Sequence, residues 1–123
     1  MKSIKLLMAT AIILFATIAN AQSNTNIKKV LDAYIQLKDA LVKSDGTNSS
    51  SASKTLLTAI QEVNMSELNT ETHTQWMKVV NDLKEDAEHI SETKEITHQR
   101  DHFMSLSKNL YACLLYTSPS PRD

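Results

Sequence analysis

The stretch Ile96-Thr97-His98-Gln99-Arg100-Asp101-His102-Phe103-Met104-Ser105-Leu106-Ser107-Lys108-Asn109-Leu110-Tyr111 decides how this chain reads. Ile96, Phe103 and Leu110 recur every seven residues, and Arg100, Leu106 and Ser107 fall on or near the same side at about 100° per residue. A lone helix of this length is marginal in water, so its apolar stripe has to be buried against other helices. Arg100 lies inside the apolar sector. Its guanidinium is expected either to snorkel to the rim or to pair with a carboxylate of a neighbouring helix. Gln99 sits at the edge of the stripe, placed to donate to a neighbouring backbone carbonyl. The Gln99-Arg100 pair therefore reads first as interhelical structure and only second as a binding feature.

The other side of the same helix is polar. His98 and His102 are four apart and Glu95 is three before His98, so all three point to one side, away from Ile96 and Phe103. Two imidazoles and a carboxylate at this spacing are candidate ligands for a divalent metal ion. The competing reading is a solvated face on a helix rich in Glu, Lys and His, because a lone His-x-x-x-His specifies no fourth ligand. Residue 99 is Gln and the order His-Glu-x-x-His does not occur, so the zinc-protease pattern is absent.

Working outward, residues 72–90 carry a second strong stripe of Trp76, Val79, Val80, Leu83, Ala87 and Ile90. Thr72 with Gln75 three later is a candidate capping box at its start. Trp76 reads as a packing anchor. Asp82, Glu85, Asp86 and Glu88 make an acidic outer face, with His89 among them but off the stripe. Residues 51–64 give a further helix through Ala52, Leu56, Ala59, Ile60 and Val63, and 65–71 form a connector carrying Leu68. Residues 27–43 give the first helix, with Ile27, Val30, Leu31, Tyr34, Leu37, Leu41 and Val42 on one broad face. Gly46 is the expected left-handed stop after it, and 47–51 the expected polar loop.

Short polar connections between helix-period stripes imply antiparallel neighbours. The fold class is therefore all-α: a small antiparallel up-down bundle of about four helices, preceded by a signal-peptide helix. A single glycine and 5% aromatic residues argue against a β-sandwich or barrel.

Residues 1–21 have the anatomy of a secretory signal peptide. Lys2 and Lys5 form the positive front, 6–18 an uncharged apolar run, and Ala19-Asn20-Ala21 the small residues for cleavage, which leaves Gln22 first. The run is too short for a comfortable membrane span, and no cysteine follows it for a lipid anchor. The expected location is periplasmic, with no membrane span after cleavage. Composition changes again after Ala112. The segment 113–123, Cys-Leu-Leu-Tyr-Thr-Ser-Pro-Ser-Pro-Arg-Asp, looks like the in-frame translation of a sequencing-library adaptor. It reads as an artefactual tail, with 22–112 as the helical domain and the native chain expected to continue beyond Ala112. Cys113 then supports no argument about disulfides or metal. Of the chain's 13 basic residues Lys2, Lys5 and Arg122 fall outside 22–112, and of its 14 acidic residues Asp123 does, so the domain's net charge is −3. That balance argues against a nucleic-acid partner.

From about Val30 to Tyr111 the chain resembles a bacterial periplasmic family known as domain of unknown function 3347. The resemblance is carried by Ala33-Tyr34-Ile35-Gln36-Leu37-Lys38-Asp39-Ala40-Leu41-Val42 with Ser44-Asp45 following, and by Gln99-Arg100 with Phe103, Leu106 and Ser107. Members of that family stand alone after a signal peptide or are fused to adaptor subunits of copper/silver-type efflux pumps. The resemblance thus implies a role near heavy-metal handling, with copper or another heavy metal as ligand of the full-length protein. The implied partner is a periplasmic efflux adaptor or another envelope protein. The family's Cys-Pro-Met element and its later Met and Cys lie downstream of the helices. Met65, Met77 and Met104 do not reproduce them, so no ligand carries over, and Glu95, His98 and His102 remain the candidates here. No nucleophile with a base partner is visible, and the expectation is a non-enzymatic module. The alternative is a structural domain that docks another envelope protein without metal. Expressed with its leader in a Gram-negative host, the chain is expected in the osmotic-shock fraction with Gln22 as its first residue. A mass spectrum showing Met1 retained, in the membrane fraction, would instead mark residues 6–18 as an uncleaved anchor.

Overall fold

Each apolar stripe read from the sequence is buried against the others in the computed structural model, which describes residues 26–115. The leader at 1–21 and the 116–123 part of the tail lie outside the described residues. Helix α1 runs through 26–42, α2 through Gly46–Gln61, α3 through Thr70–Ser91 and α4 through Ile96–Leu114, with one 3-10 turn at Met65–Glu67 between α2 and α3. There is no strand among the described residues. No helix among them is long and apolar enough to cross a membrane.

The core draws on every helix: Val30, Leu37 and Leu41 of α1, Leu56 and Ile60 of α2, Trp76, Leu83, Ala87 and Ile90 of α3, Leu106 and Leu110 of α4. Trp76 is the largest of the fully buried side chains, the packing role expected of it. The connections are short, and the cross-helix bonds show α2 antiparallel to α3 and α4 antiparallel to α1. Ser50 and Ser53 of α2 donate to the carbonyls of Ser91 and Ala87 of α3, so rising numbers on one meet falling numbers on the other. Likewise Arg100 of α4 reaches Leu41 of α1 while Ser107 of α4 reaches Tyr34. Helix α4 thereby returns to α1 and closes an up-down bundle.

Several local readings need correction. Helix α2 begins at Gly46, not after a polar loop at 47–51. Asp45 is its cap: the carboxylate accepts from the Asn48 backbone N–H at 3.0 Å and from the Asn48 side chain at 2.6 Å. Ser49 and Ser50, which suggested a loop, are buried, as is Ser53 further along the helix, while Ser51 is exposed. The buried hydroxyls bond backbone carbonyls, which lets small polar residues serve at a close helix–helix contact. Gly46 is not the left-handed stop of α1. That conformation falls on Ser44, with φ of 56°. Glycine is required at 46 for space, because a Cβ there would lie 2.9 Å from the Lys94 carbonyl carbon and closer still to its oxygen. Helix α3 is capped by Asn69, whose side chain accepts from the Thr72 N–H at 2.8 Å, and Thr72 is itself inside the helix and buried. Val42, placed on the apolar face by periodicity, is 76% exposed on the last turn of α1. At the far end α4 crosses the boundary read at Ala112 and continues through Cys113, which is buried.

Gly46→Ala should lower stability by about 1–3 kcal/mol through overpacking against Lys94. Ser44→Gly, at the left-handed position, should be neutral or slightly stabilising. Urea melts of the two variants check the assignment. Equal losses would mean that position 46 has room for a methyl group.

Candidate metal centre

The α3–α4 connection fixes everything near the polar seam. Residues 92–95 link the helices, with the Glu95 N–H donating to Thr93 Oγ1 at 3.1 Å and the Gln99 N–H to the Glu95 carbonyl at 3.0 Å. Gln99 is fully buried. Its Nε2 donates to the carbonyls of Thr93 at 2.7 Å and Gly46 at 2.9 Å, with Ile90 at the longer 3.4 Å. Arg100 Nη2 donates to the Leu41 carbonyl at 2.8 Å and to Ser44 Oγ at 2.9 Å. The guanidinium thus finds no carboxylate partner among the described residues. It caps the C-terminus of α1, where unpaired carbonyls and the helix dipole favour a cation. The Gln99-Arg100 pair is interhelical structure, the first of its two readings.

One turn further, α3 and α4 present three histidines to one another. Ligand-capable nitrogens of His89, His98 and His102 all lie within 4.8 Å of one another. The His89 and His102 rings stack with centroids 4.7 Å apart and 11° between their planes, and His98 meets His102 edge-on at 4.7 Å. His89 and His102 are half-buried and His98 is exposed. Asp86 stands behind His102, its Oδ1 2.9 Å from Nδ1. Its other oxygen, Oδ2, is buried without a hydrogen-bond partner among the described residues. Asp86 is therefore not part of the acidic outer face its sequence position suggested. It turns into the seam and is 8% exposed, whereas Asp82, Glu85 and Glu88 are solvated.

Of the three residues singled out from the sequence, the fold brings two together. His98 and His102 belong to the cluster; Glu95 precedes α4, is exposed, and is not a member. His89 stands where Glu95 was expected. The signal for His89 was present but needed the hairpin: it lies three residues before Glu92, as His98 lies three after Glu95, so an antiparallel turn sets them face to face. Three imidazoles are suited to a borderline ion such as Zn(II) or Cu(II). Tetrahedral coordination at bond lengths of about 2.0–2.1 Å spaces nitrogens roughly 3.3 Å apart. Closing the cluster to that spacing requires the side chains to turn, since the His89 and His102 rings lie nearly parallel and an imidazole lone pair lies in its ring plane.

The fold and seam define an antiparallel four-helix bundle with a histidine cluster between its last two helices. Residues 30–121 match the model of the family described as protein of unknown function, DUF3347, and the chain belongs to that family. No curated protein and no solved structure matches the chain.

Substitutions separate scaffold from site. Gln99→Ala empties a buried space and strips three carbonyls of their donor, and should cost about 2–4 kcal/mol. His98→Ala removes an exposed ring and should change the metal-free stability by less than about 0.5 kcal/mol. Chemical denaturation of both variants in the presence of a chelator provides the comparison, and a large loss for His98→Ala would make the cluster part of the packing.

Proposed function

We propose that this bundle is a non-enzymatic periplasmic module of heavy-metal handling that takes one borderline divalent ion, Zn(II) or Cu(II), between His89, His98 and His102. The mutual approach of three imidazoles across the α3–α4 seam carries the reading. Each contributes a neutral nitrogen donor, the open side at His98 gives an ion access, and the buried carboxylate of Asp86 lies behind one ligand. The link to an efflux system rests on the family resemblance.

The buried hydroxyl groups of α2 serve the packing of the helices. The buried Ser49, Ser50 and Ser53 donate to backbone carbonyls, so none is poised beside a base. The groove between α1 and α2, lined by Lys29, Asp32, Gln36, Thr55, Thr58 and Glu62 among others, holds no histidine or cysteine. A second reading, docking to another envelope protein, is favoured by Met104 and Tyr111, seven apart on α4 and 72% and 65% exposed, with Leu115 just past its end at 60%.

Untagged protein titrated with Zn(II) and Cu(II) in a calorimeter should bind one ion. At free metal a hundred times Kd, stability should rise by about 2.7 kcal/mol. The variant with His89, His98 and His102 all changed to Ala should show neither effect. Cu(I), titrated anaerobically, is expected to bind weakly because the cluster offers no sulfur ligand. Full affinity in the triple variant, or none in the wild type, would leave docking as the better reading.

A further inference from the structure

We infer that Asp86 is the positioning residue of this centre: its carboxylate holds His102 in the Nδ1–H tautomer and so turns the Nε2 lone pair toward the ion. The inference rests on the metal-binding reading above and goes beyond it by giving the three histidines unequal roles.

The observed contact is the carboxylate–histidine half of a carboxylate–histidine–metal arrangement. Asp86 lies on α3, three residues before His89, and reaches across to α4. Its Oδ1 is 2.9 Å from His102 Nδ1, a charge-assisted distance. A neutral imidazole has one N–H, and whichever nitrogen bears it cannot bind metal. A carboxylate accepts but does not donate, so it selects Nδ1 as the N–H and leaves Nε2 as the donor. The bond also increases the electron density at Nε2 and locks the ring, the two effects by which partners behind a metal ligand strengthen binding.

Two observations separate this arrangement from an ordinary polar contact between helices. The Asp86 side chain is 11% exposed, yet its only ion-pair partner among the described residues is His102; no lysine or arginine reaches it. Its Oδ2 is buried and unbonded. A carboxylate taken this far from water is costly unless positive charge lies close by. An ion on Nε2 of His102 supplies that charge through the ring, by polarising the Nδ1–H toward Oδ1. Among the described residues the carboxylate nearest His89 is the exposed Glu85 at 4.0 Å, beside its stacking on His102, and His98 meets the His102 ring edge-on. His102 is the one ligand of the three with a buried anchor.

The test begins with metal-free wild-type protein at a pH where the imidazoles are neutral. Long-range 15N–1H correlation should show His102 in the Nδ1–H tautomer, the less common form of free imidazole. Asp86→Ala should release it toward the Nε2–H form and weaken Zn(II) binding 10- to 100-fold. Asp86→Asn, similar in shape and able to accept through its amide oxygen, should keep more of both the tautomer and the affinity than Asp86→Ala. A purely structural Asp86 would alter the melt of these variants without this graded recovery of affinity. Circular dichroism confirms that each variant compared is folded, and the wild-type tautomer is read without any variant. His102 in the Nε2–H form, or unchanged Zn(II) affinity in folded Asp86→Ala, would overturn the role of Asp86 while leaving the three-histidine site standing. Failure of wild-type protein to bind Zn(II), even with His102 in the Nδ1–H form, would overturn the metal reading and this inference with it.

Discussion

Three backbone carbonyls, from Gly46, Ile90 and Thr93, converge on the side-chain nitrogen of Gln99. They belong to the start of α2, the end of α3 and the connection that follows. An amide nitrogen carries two hydrogens, so the two shorter bonds are the strong ones and Ile90 takes a weak share. The last carbonyls of a helix, such as that of Ile90, and those of a connection, such as that of Thr93, have no intrahelical partner, and burying them bare is expensive. Gln99 resolves that problem for one end of the bundle with a single neutral side chain. The residue also sets the rotation of α4. His98 precedes it and His102 follows it by three, so the histidines face α3 because the amide faces the bundle end. A slip of α4 by one residue would turn its side chains by about 100° and take His102 away from Asp86.

The same end of the bundle explains the composition of α2. Gly46 lies against the Lys94 carbonyl, and Ser50 and Ser53 hand their hydroxyl protons to carbonyls of α3. Small residues allow the backbones to come close, and hydroxyls satisfy the polar groups that closeness would bury. Further down α2 the buried positions pass to Leu56 and Ile60. The interior therefore changes from polar contacts beside the α3–α4 connection to apolar ones around Trp76.

Periodicity was sufficient for the parts of this structure that depend on burial. The stripes of α3 and α4, the anchoring role of Trp76 and the alternation of helix direction were all legible, since an apolar face of helical period has few places to go. It failed where short-range polar chemistry competes with it. Asp45 and the serines after it looked like a loop because Ser, Asn and Thr favour turns; their helical state depends on α3 being present. Asp86 looked like one more surface carboxylate, because its inward turn depends on His102 sixteen residues away. The histidine cluster was half legible. His98 and His102 share a helix, so spacing alone pairs them, whereas His89 comes from the facing helix and Glu95 is left at a helix start where its side chain makes no capping bond.

The closure of α4 on α1 differs in kind from the other seams. Tyr34 stacks on Phe103 at 5.1 Å and its hydroxyl shares a hydrogen bond with Ser107, while Arg100 grips the end of α1. These bonds join residues 59 and 73 positions apart, whereas the histidine seam is closed across a connection at 92–95. Loop entropy weighs against the distant pair and hardly at all against the near one. The last hairpin can thus assemble as soon as its own residues are together, independently of whether the first helix has arrived. In this architecture the candidate ion-holding corner is local and the ring's final join is not, so the chain can possess the former before it possesses the whole.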